Sequence, residues 1–316
     1  MAMRIRASVF ALAALPAALL LSPPIAHAED TPAWKSCIST TNTGAERFAS
    51  CTEVIESNAE TGRRLAAAYC IRGHEKNEKR ELDGALTDLD EAIRLDPTYA
   101  CSYNNRGRTY AFKGELDRAI EDYSEALKID FNMFIAYNNR GDAYFHKRQL
   151  DEAIVDFSIA LKIAPTYALA YSNRARAFHA MRDYKSAIED YATLIRLQPS
   201  VMAYLGRGNV YRDAEQLDRA IADYAAVIKL APSDARGWRN RGMIRLFKGD
   251  NKGGVADYTK ALEYDPADVY SWNNRGQAKM RLGDKKGAIA DFRKALELRP
   301  GLETAMAGLK QLGAAP

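Results

Sequence analysis

Residues 137–165 read YNNRGDAYFHKRQLDEAIVDFSIALKIAP. Tyr137, Arg140, Gly141 and Tyr144 stand three, four and seven residues apart, and Ala153, Phe157 and Ala160 four and seven apart, so each set shares one face of a helix. Gly141 and Ala153 leave room for close approach of the two helices, and the aromatic side chains fill the adjoining space. Asp151 is placed to cap the second helix or to meet the positive end of its dipole, and Pro165 closes it. One such pair cannot bury its apolar face alone, so the stretch requires copies of itself on either side.

The copies are present. The same wording returns as Tyr103-Asn104-Asn105-Arg106-Gly107 and Trp272-Asn273-Asn274-Arg275-Gly276. The closing position returns as Pro97, Phe131, Pro165, Pro199, Pro232, Pro266 and Pro300, at intervals of 34 residues except one of 33 between Pro199 and Pro232. An acid opens every second helix: Asp83, Asp117, Asp151, Asp183, Asp218, Asp250 and Asp284. Phe131, replacing a proline, predicts a softer exit from the second unit. On these residues the chain resembles the tetratricopeptide repeat (TPR) family. The resemblance implies an all-α fold, a right-handed α-solenoid or superhelix of seven helix-turn-helix repeats over residues 66–302, with the first helices lining its concave side.

One departure from the family pattern is systematic. The family's usual Leu beside the Gly is Arg in all seven units: Arg72, Arg106, Arg140, Arg174, Arg207, Arg241 and Arg275. An Asp follows each one 16 residues later: Asp88, Asp122, Asp156, Asp190, Asp223, Asp257 and Asp291. Unpaired arginines on a packing face are costly, and a guanidinium matches a carboxylate bidentately, so the expectation is a ladder of structural ion pairs.

The flanks carry different signals. Arg4 and Arg6, the apolar run Val9 to Leu21 and the small residues Ala26 and Ala28 read as a signal peptide over residues 1–28, too short in its apolar part to span a bilayer. The protein is therefore expected to be exported, to the periplasm or alternatively to the medium, without membrane insertion after cleavage. In such a compartment Cys37 and Cys51 read as a disulfide within an N-terminal helical cap over residues 29–65. Residues 303–316 read as a short C-terminal capping helix or tail. Pairing of Cys70 with Cys101 stays open, because helices packed about 8–10 Å apart are wide for a disulfide.

For function, 316 residues with 47% hydrophobic and 27% charged content exclude intrinsic disorder, and a formal charge of +4 gives no strongly basic surface for nucleic acid. Nucleophile, zinc and phosphate-loop motifs are missing, His146 and His179 are the pair able to approach each other on successive repeats, and no enzyme activity or cofactor is expected. Asn precedes the Arg in five units, at Asn105, Asn139, Asn173, Asn240 and Asn274, interrupted by Ile71 and Gly206. This is similar to the asparagine ladder of the O-linked N-acetylglucosamine transferase superhelix, which implies amides that hold a peptide backbone; satisfaction of neighbouring helix ends is the equal alternative. Around it the groove is expected to present Arg108, Arg176, Arg212, Arg236 and Arg239 against Asp142 and Asp213, interleaved with Phe112, Phe145, Phe247 and Tyr270. The Lys/Asn/Arg carboxylate clamp of co-chaperones is not reproduced. The resulting expectation is a non-enzymatic scaffold that binds extended peptide segments or helices of other proteins, an adaptor in envelope assembly or secretion. A subunit of a cell-wall or metal-dependent hydrolase complex is the alternative, self-assembly through the tail a third reading, and the oligomeric state and peptide or glycan occupancy are open.

Overall fold

The computed structural model describes residues 30–315, so the expected export signal over residues 1–28 lies outside the described residues. Within them the chain forms seventeen α-helices and no strand. Helices α1 (Pro32–Cys37) and α2 (Gly44–Glu56) precede seven pairs: α3 (Gly62–Glu78) with α4 (Leu82–Leu95), α5 (Ala100–Lys113) with α6 (Leu116–Ile129), α7 (Phe134–His146) with α8 (Leu150–Ile163), and α9 (Ala168–Ala180) with α10 (Tyr184–Leu197). The last three are α11 (Val201–Asp213) with α12 (Leu217–Leu230), α13 (Ala235–Phe247) with α14 (Asn251–Tyr264), and α15 (Val269–Arg281) with α16 (Lys285–Leu298), followed by α17 (Glu303–Gln311). Each helix packs on its neighbours in sequence, and first helices also touch the next first helix, as in α3–α5, α5–α7, α7–α9, α9–α11 and α13–α15. The result is a helical solenoid.

The small and large residues meet as their spacing requires. A Cβ placed on Gly141 would lie 2.8 Å from the Phe157 ring, and one on Gly276 2.9 Å from Phe292, so only glycine lets α7 reach α8 and α15 reach α16. Asp183, Asp250 and Asp284 cap α10, α14 and α16 by accepting a backbone N–H. Asp83, Asp117, Asp151 and Asp218 instead stand in the first turn, where three of them bind Lys113, Lys147 and Lys248 of the following repeat. The missing proline at Phe131 does not soften the exit: α6 still ends at Ile129, and the Asn132 N–H donates to the Asp130 carboxylate at 3.0 Å to close the turn. The one-residue deletion falls between α10 and α11, where Ser200 caps α11 at once.

All seven arginines fork onto their aspartates. Arg140 donates through Nε and Nη2 to Asp156 at 2.8 and 2.9 Å, and Arg174 to Asp190 at 2.8 Å through both nitrogens; the other five match. Every one of these carboxylates is buried. Each guanidinium also lies over an aromatic ring three residues earlier, from Tyr69 to Trp272. In four repeats the remaining nitrogen reaches back one unit, from Arg106 to Asp90, Arg140 to Ser124, Arg174 to Ser158 and Arg275 to Thr259. The pair therefore joins helix to helix and repeat to repeat.

Both ends are closed. Cys37 and Cys51 form a disulfide with Cα atoms 4.7 Å apart, packed with Trp34, Val54 and Ala68. At the other end Ala305 and Leu309 of α17 cover Phe292.

Three outcomes follow for stability. Arg140→Leu leaves a buried carboxylate unpaired and should cost about 3–5 kcal/mol locally, with Asp156→Asn recovering much of it; additive single changes in a double-mutant cycle would refute the coupling. Reduction of the disulfide, which closes a 14-residue separation, should remove about 3 kcal/mol and lower the melting temperature. The turn after the first helix is left-handed in every repeat, at Gly114, Gly249 and Gly283 but also at Arg80, Arg148, Arg182 and Glu215. Arg148→Gly and Arg182→Gly relieve this strain at exposed positions and should each stabilise by about 1 kcal/mol in denaturant titrations.

Candidate functional site

The faces of the first helices opposite the arginine ladder form a continuous surface from α5 to α15, and the residues expected to bind are found on it. Asn105, Asn139 and Asn173 make a regular row. Each Nδ2 donates to the residue one place earlier in the preceding repeat's motif: to Cys70 Sγ at 3.2 Å, Asn104 Oδ1 at 3.1 Å and Asn138 Oδ1 at 3.1 Å. An amide carries two N–H donors and a carbonyl with two lone pairs, so this bond orients each side chain and leaves the half-buried Asn105 and Asn139 one N–H and acceptor capacity for the groove, whereas Asn173 is buried and its Oδ1 accepts from Arg176. The acceptors are side-chain atoms of the preceding repeat rather than the helix ends that the sequence offered as the alternative. Asn274 turns to the Tyr258 hydroxyl at 3.2 Å instead, and for Asn240 the preceding repeat offers only Leu205, which has no acceptor. The gap at Gly206 is filled: a Cβ there would lie 2.5 Å from the Tyr191 ring.

The arginines are held by the protein's own carboxylates. Arg108 meets Glu78 at 2.5 Å, Arg176 meets Asp142 at 3.8 Å and donates to Asn173 Oδ1 at 3.2 Å, and Arg212 meets Asp213 at 2.7 Å. Arg236 pairs with Asp234 at 2.6 Å and Arg239 with Asp268 at 3.5 Å. His146 and His179 turn to different aspartates, Asp142 at 3.6 Å and Asp213 at 2.9 Å. The hydrogen bond from Arg108 holds the Glu78 carboxyl below its ordinary range. Burial by itself would raise Asp213, but hydrogen bonds and charge from Arg212 and His179 outweigh it and lower the group. These groove arginines are thus neutralised, by Asp142 and Asp213, which the sequence set against them, and by Glu78, Asp234 and Asp268, which it did not.

Two cavities open along this face. One of 560 Å³ lies between α5 and α7 against Arg108, Phe112, Leu116, Asn139 and Asp142. The second, of 500 Å³, lies between α11 and α13 and is more apolar, with Leu217, Met243, Ile244 and Phe247 beside Arg212. Arg80 and Arg108 stack on Phe112, and Arg176 on Phe145. A third cavity of 340 Å³ gathers Cys70, Cys101, His74 and Asn105 near the N-terminal cap. Cys70 and Cys101 are free thiols, Cys70 being fully buried and its thiol pushed up to about 12 by that burial.

One feature of this face escaped the reading of the sequence. The second residue of each first helix is Cys101, Ile135, Leu169, Met202, Arg236 and Tyr270 from α5 onward, and four of these are exposed hydrophobics: Ile135 at 43%, Leu169 at 50%, Met202 at 66% and Tyr270 at 55%. Aligning the repeats on their Arg-Gly pair exposes the row, five positions before each Arg.

Residues 107–147 match the family model described as TPR repeat, residues 89–121 that described as Tetratricopeptide repeat, and residues 132–312, more than half of the chain, that of the ETO1 C-terminal domain. The chain belongs to the tetratricopeptide repeat family, and within residues 132–312 to that of the ETO1 C-terminal domain. Solved structures share this TPR fold. A tetratricopeptide repeat protein from Parabacteroides merdae is 21% identical with a TM-score of 0.56, covering 78% of this chain and 98% of its own. YrrB, described as a TPR protein with an unusual peptide-binding site, is 19% identical with a TM-score of 0.52 over 60% of this chain and 99% of its own. A chain of the APC/C hetero-tetramer Cut9–Hcn1 is 15% identical with a TM-score of 0.57, over 85% of this chain and 52% of that one. Comparison with curated proteins returns no match.

Proposed function

We propose that this TPR protein is a non-enzymatic scaffold that holds segments of other proteins against the face of its first helices, and that it works outside the cytoplasm as an adaptor in envelope assembly or secretion. The observation that carries the binding role is the oriented amide row, in which the half-buried Asn105 and Asn139 keep hydrogen-bonding capacity for a peptide backbone. The cavity against Asn139 and the more apolar one beyond it, between α11 and α13, suit side chains of the bound segment. The likeness of fold to YrrB, with its peptide-binding site, supports the same reading. Export is supported by the residue order of the first 28 positions and by the Cys37–Cys51 disulfide, a bond kept in oxidising compartments. Among the described residues no helix is long and apolar enough to cross a membrane.

A photo-crosslinking residue at Phe145, on α7 in the groove, tests this against the same residue at Val155, on α8. Capture of a protein partner is expected from position 145 and not from 155. Asn105→Ala with Asn139→Ala should weaken that capture roughly five- to a hundredfold, at about 0.5–1.5 kcal/mol per lost hydrogen bond. Thermal melts of the same variant separate this loss from the weakening of inter-repeat bonds. Equal capture from position 155, or capture unchanged in the folded double variant, would move binding to another face.

A further inference from the structure

Resting on the first-helix face as the binding surface, we propose that its occupant is an uncharged polypeptide segment in the polyproline II conformation, which seats an aliphatic side chain of every third residue on the row Ile135, Leu169 and Met202. Three observations on this chain lead there.

The first is the row itself. Ile135, Leu169 and Met202 stand at the same place on the successive first helices α7, α9 and α11, of which α7 touches α9 and α9 touches α11, and all are exposed. Arg236 extends the row, with Nη1 3.6 Å from Met202 Sδ and its charge taken up by Asp234, and Tyr270 ends it with its hydroxyl bound by Arg299 at 2.7 Å. An aligned set of large apolar side chains on a water-soluble surface marks a contact site.

The second is charge. Arg108, Arg176, Arg212, Arg236 and Arg239 each meet a carboxylate of the same chain, and Arg80, which stacks on Phe112, belongs to the α3–α4 turn outside the helices that carry the row, so the arginines beside the row are balanced and do not select an acidic segment. What the face leaves unsatisfied is apolar area and amide hydrogen-bonding capacity, and a neutral segment fits both.

The third is spacing. Packed helices lie about 8–10 Å apart, and a polyproline II helix brings residues i, i+3 and i+6 to one side at about 9 Å intervals. A β-strand turns i and i+3 to opposite faces. An α-helix repeats a face after seven residues at about 10.5 Å, but it has spent its backbone groups internally and offers nothing to Asn105 and Asn139. Only the polyproline II backbone combines the period with free N–H and C=O groups.

The test uses the intact protein and fluorescently labelled synthetic peptides in anisotropy titrations. The probe is five Leu-Pro-Gln units. The comparisons are five Glu-Pro-Gln units, a peptide with Leu at alternate positions, and a helix-forming Ala/Gln peptide with Leu at every seventh position. The Leu-Pro-Gln peptide should bind at least about tenfold more tightly than the others, with no salt dependence, and Ile135→Ser/Leu169→Ser/Met202→Ser should lose at least about tenfold. Val155→Ser, at an exposed site on α8, should change nothing. Met202→Glu alone gives the same readout should the triple variant melt early. Tighter, salt-sensitive binding of the Glu peptide, preference for the helical or alternate-Leu peptide, or full affinity in the folded variant overturns the inference. If no peptide binds while position 145 still captures a protein, this reading falls and the scaffold role stands; if capture fails as well, both fall.

Discussion

The guanidinium fork between Arg140 and Asp156, repeated seven times, is the constraint on which the rest of the solenoid depends. A buried ion pair is weak evidence of net stability, because desolvation offsets much of the attraction. Its value here is in specifying geometry. The two parallel hydrogen bonds fix the rotation of each first helix against its second, the ring beneath the guanidinium fixes the plane of the fork, and in four repeats the third nitrogen fixes the distance to the unit before. A leucine in that place would fill the same volume without choosing among neighbouring rotations.

Once that rotation is set, the opposite face of each first helix has no freedom left. The amide lies two residues from the glycine that meets the second helix, and the apolar position five residues before the Arg lies on the helix's first turn, so each falls in line with its counterparts. The groove is thus a by-product of the ladder: a periodic surface arises because a periodic core contact forbids one repeat from turning relative to the next. Where the periodicity breaks, the surface changes with it. At Gly206 the Tyr191 ring occupies the place of an amide, and beyond it the second cavity is lined by Met243, Ile244 and Phe247 rather than by asparagines.

The fold and the ladder were legible because they recur. Seven Arg–Asp spacings of 16 residues and seven closing positions leave one consistent arrangement, and Cys37 and Cys51 flank one short loop in an exported-looking chain. The partners of the amides were not legible, because the acceptor is contributed by the preceding repeat at a position that varies freely: Cys70, Asn104, Asn138, Ser172, Leu205 and Arg239. Nor did composition reveal that the groove arginines are neutralised: Glu78 and Asp142 meet Arg108 and Arg176 of the following repeat only through the solenoid's geometry, while Asp213 takes the arginine beside it in sequence, Arg212. The left-handed turns at Arg148 and Arg182 were hidden for a simpler reason. An arginine gives no turn signal, and the backbone there follows from the two helices it must join.

The same ladder differs along its length in a way that bears on binding. Four residues after the Arg, the second to fifth repeats carry Tyr110, Tyr144, Phe178 and Tyr211, whereas the first, sixth and seventh carry Lys76, Arg245 and Lys279, each adding a second cation to the buried aspartate. Aromatic side chains bury more apolar area than a cation can, so the central repeats gain packing where the others gain charge. Ile135, Leu169, Met202 and the amides Asn105, Asn139 and Asn173 all sit on the aromatic repeats. The residues proposed to meet a bound segment therefore sit on the repeats whose ladder is backed by an aromatic ring, and the repeats at either side back it with a second cation.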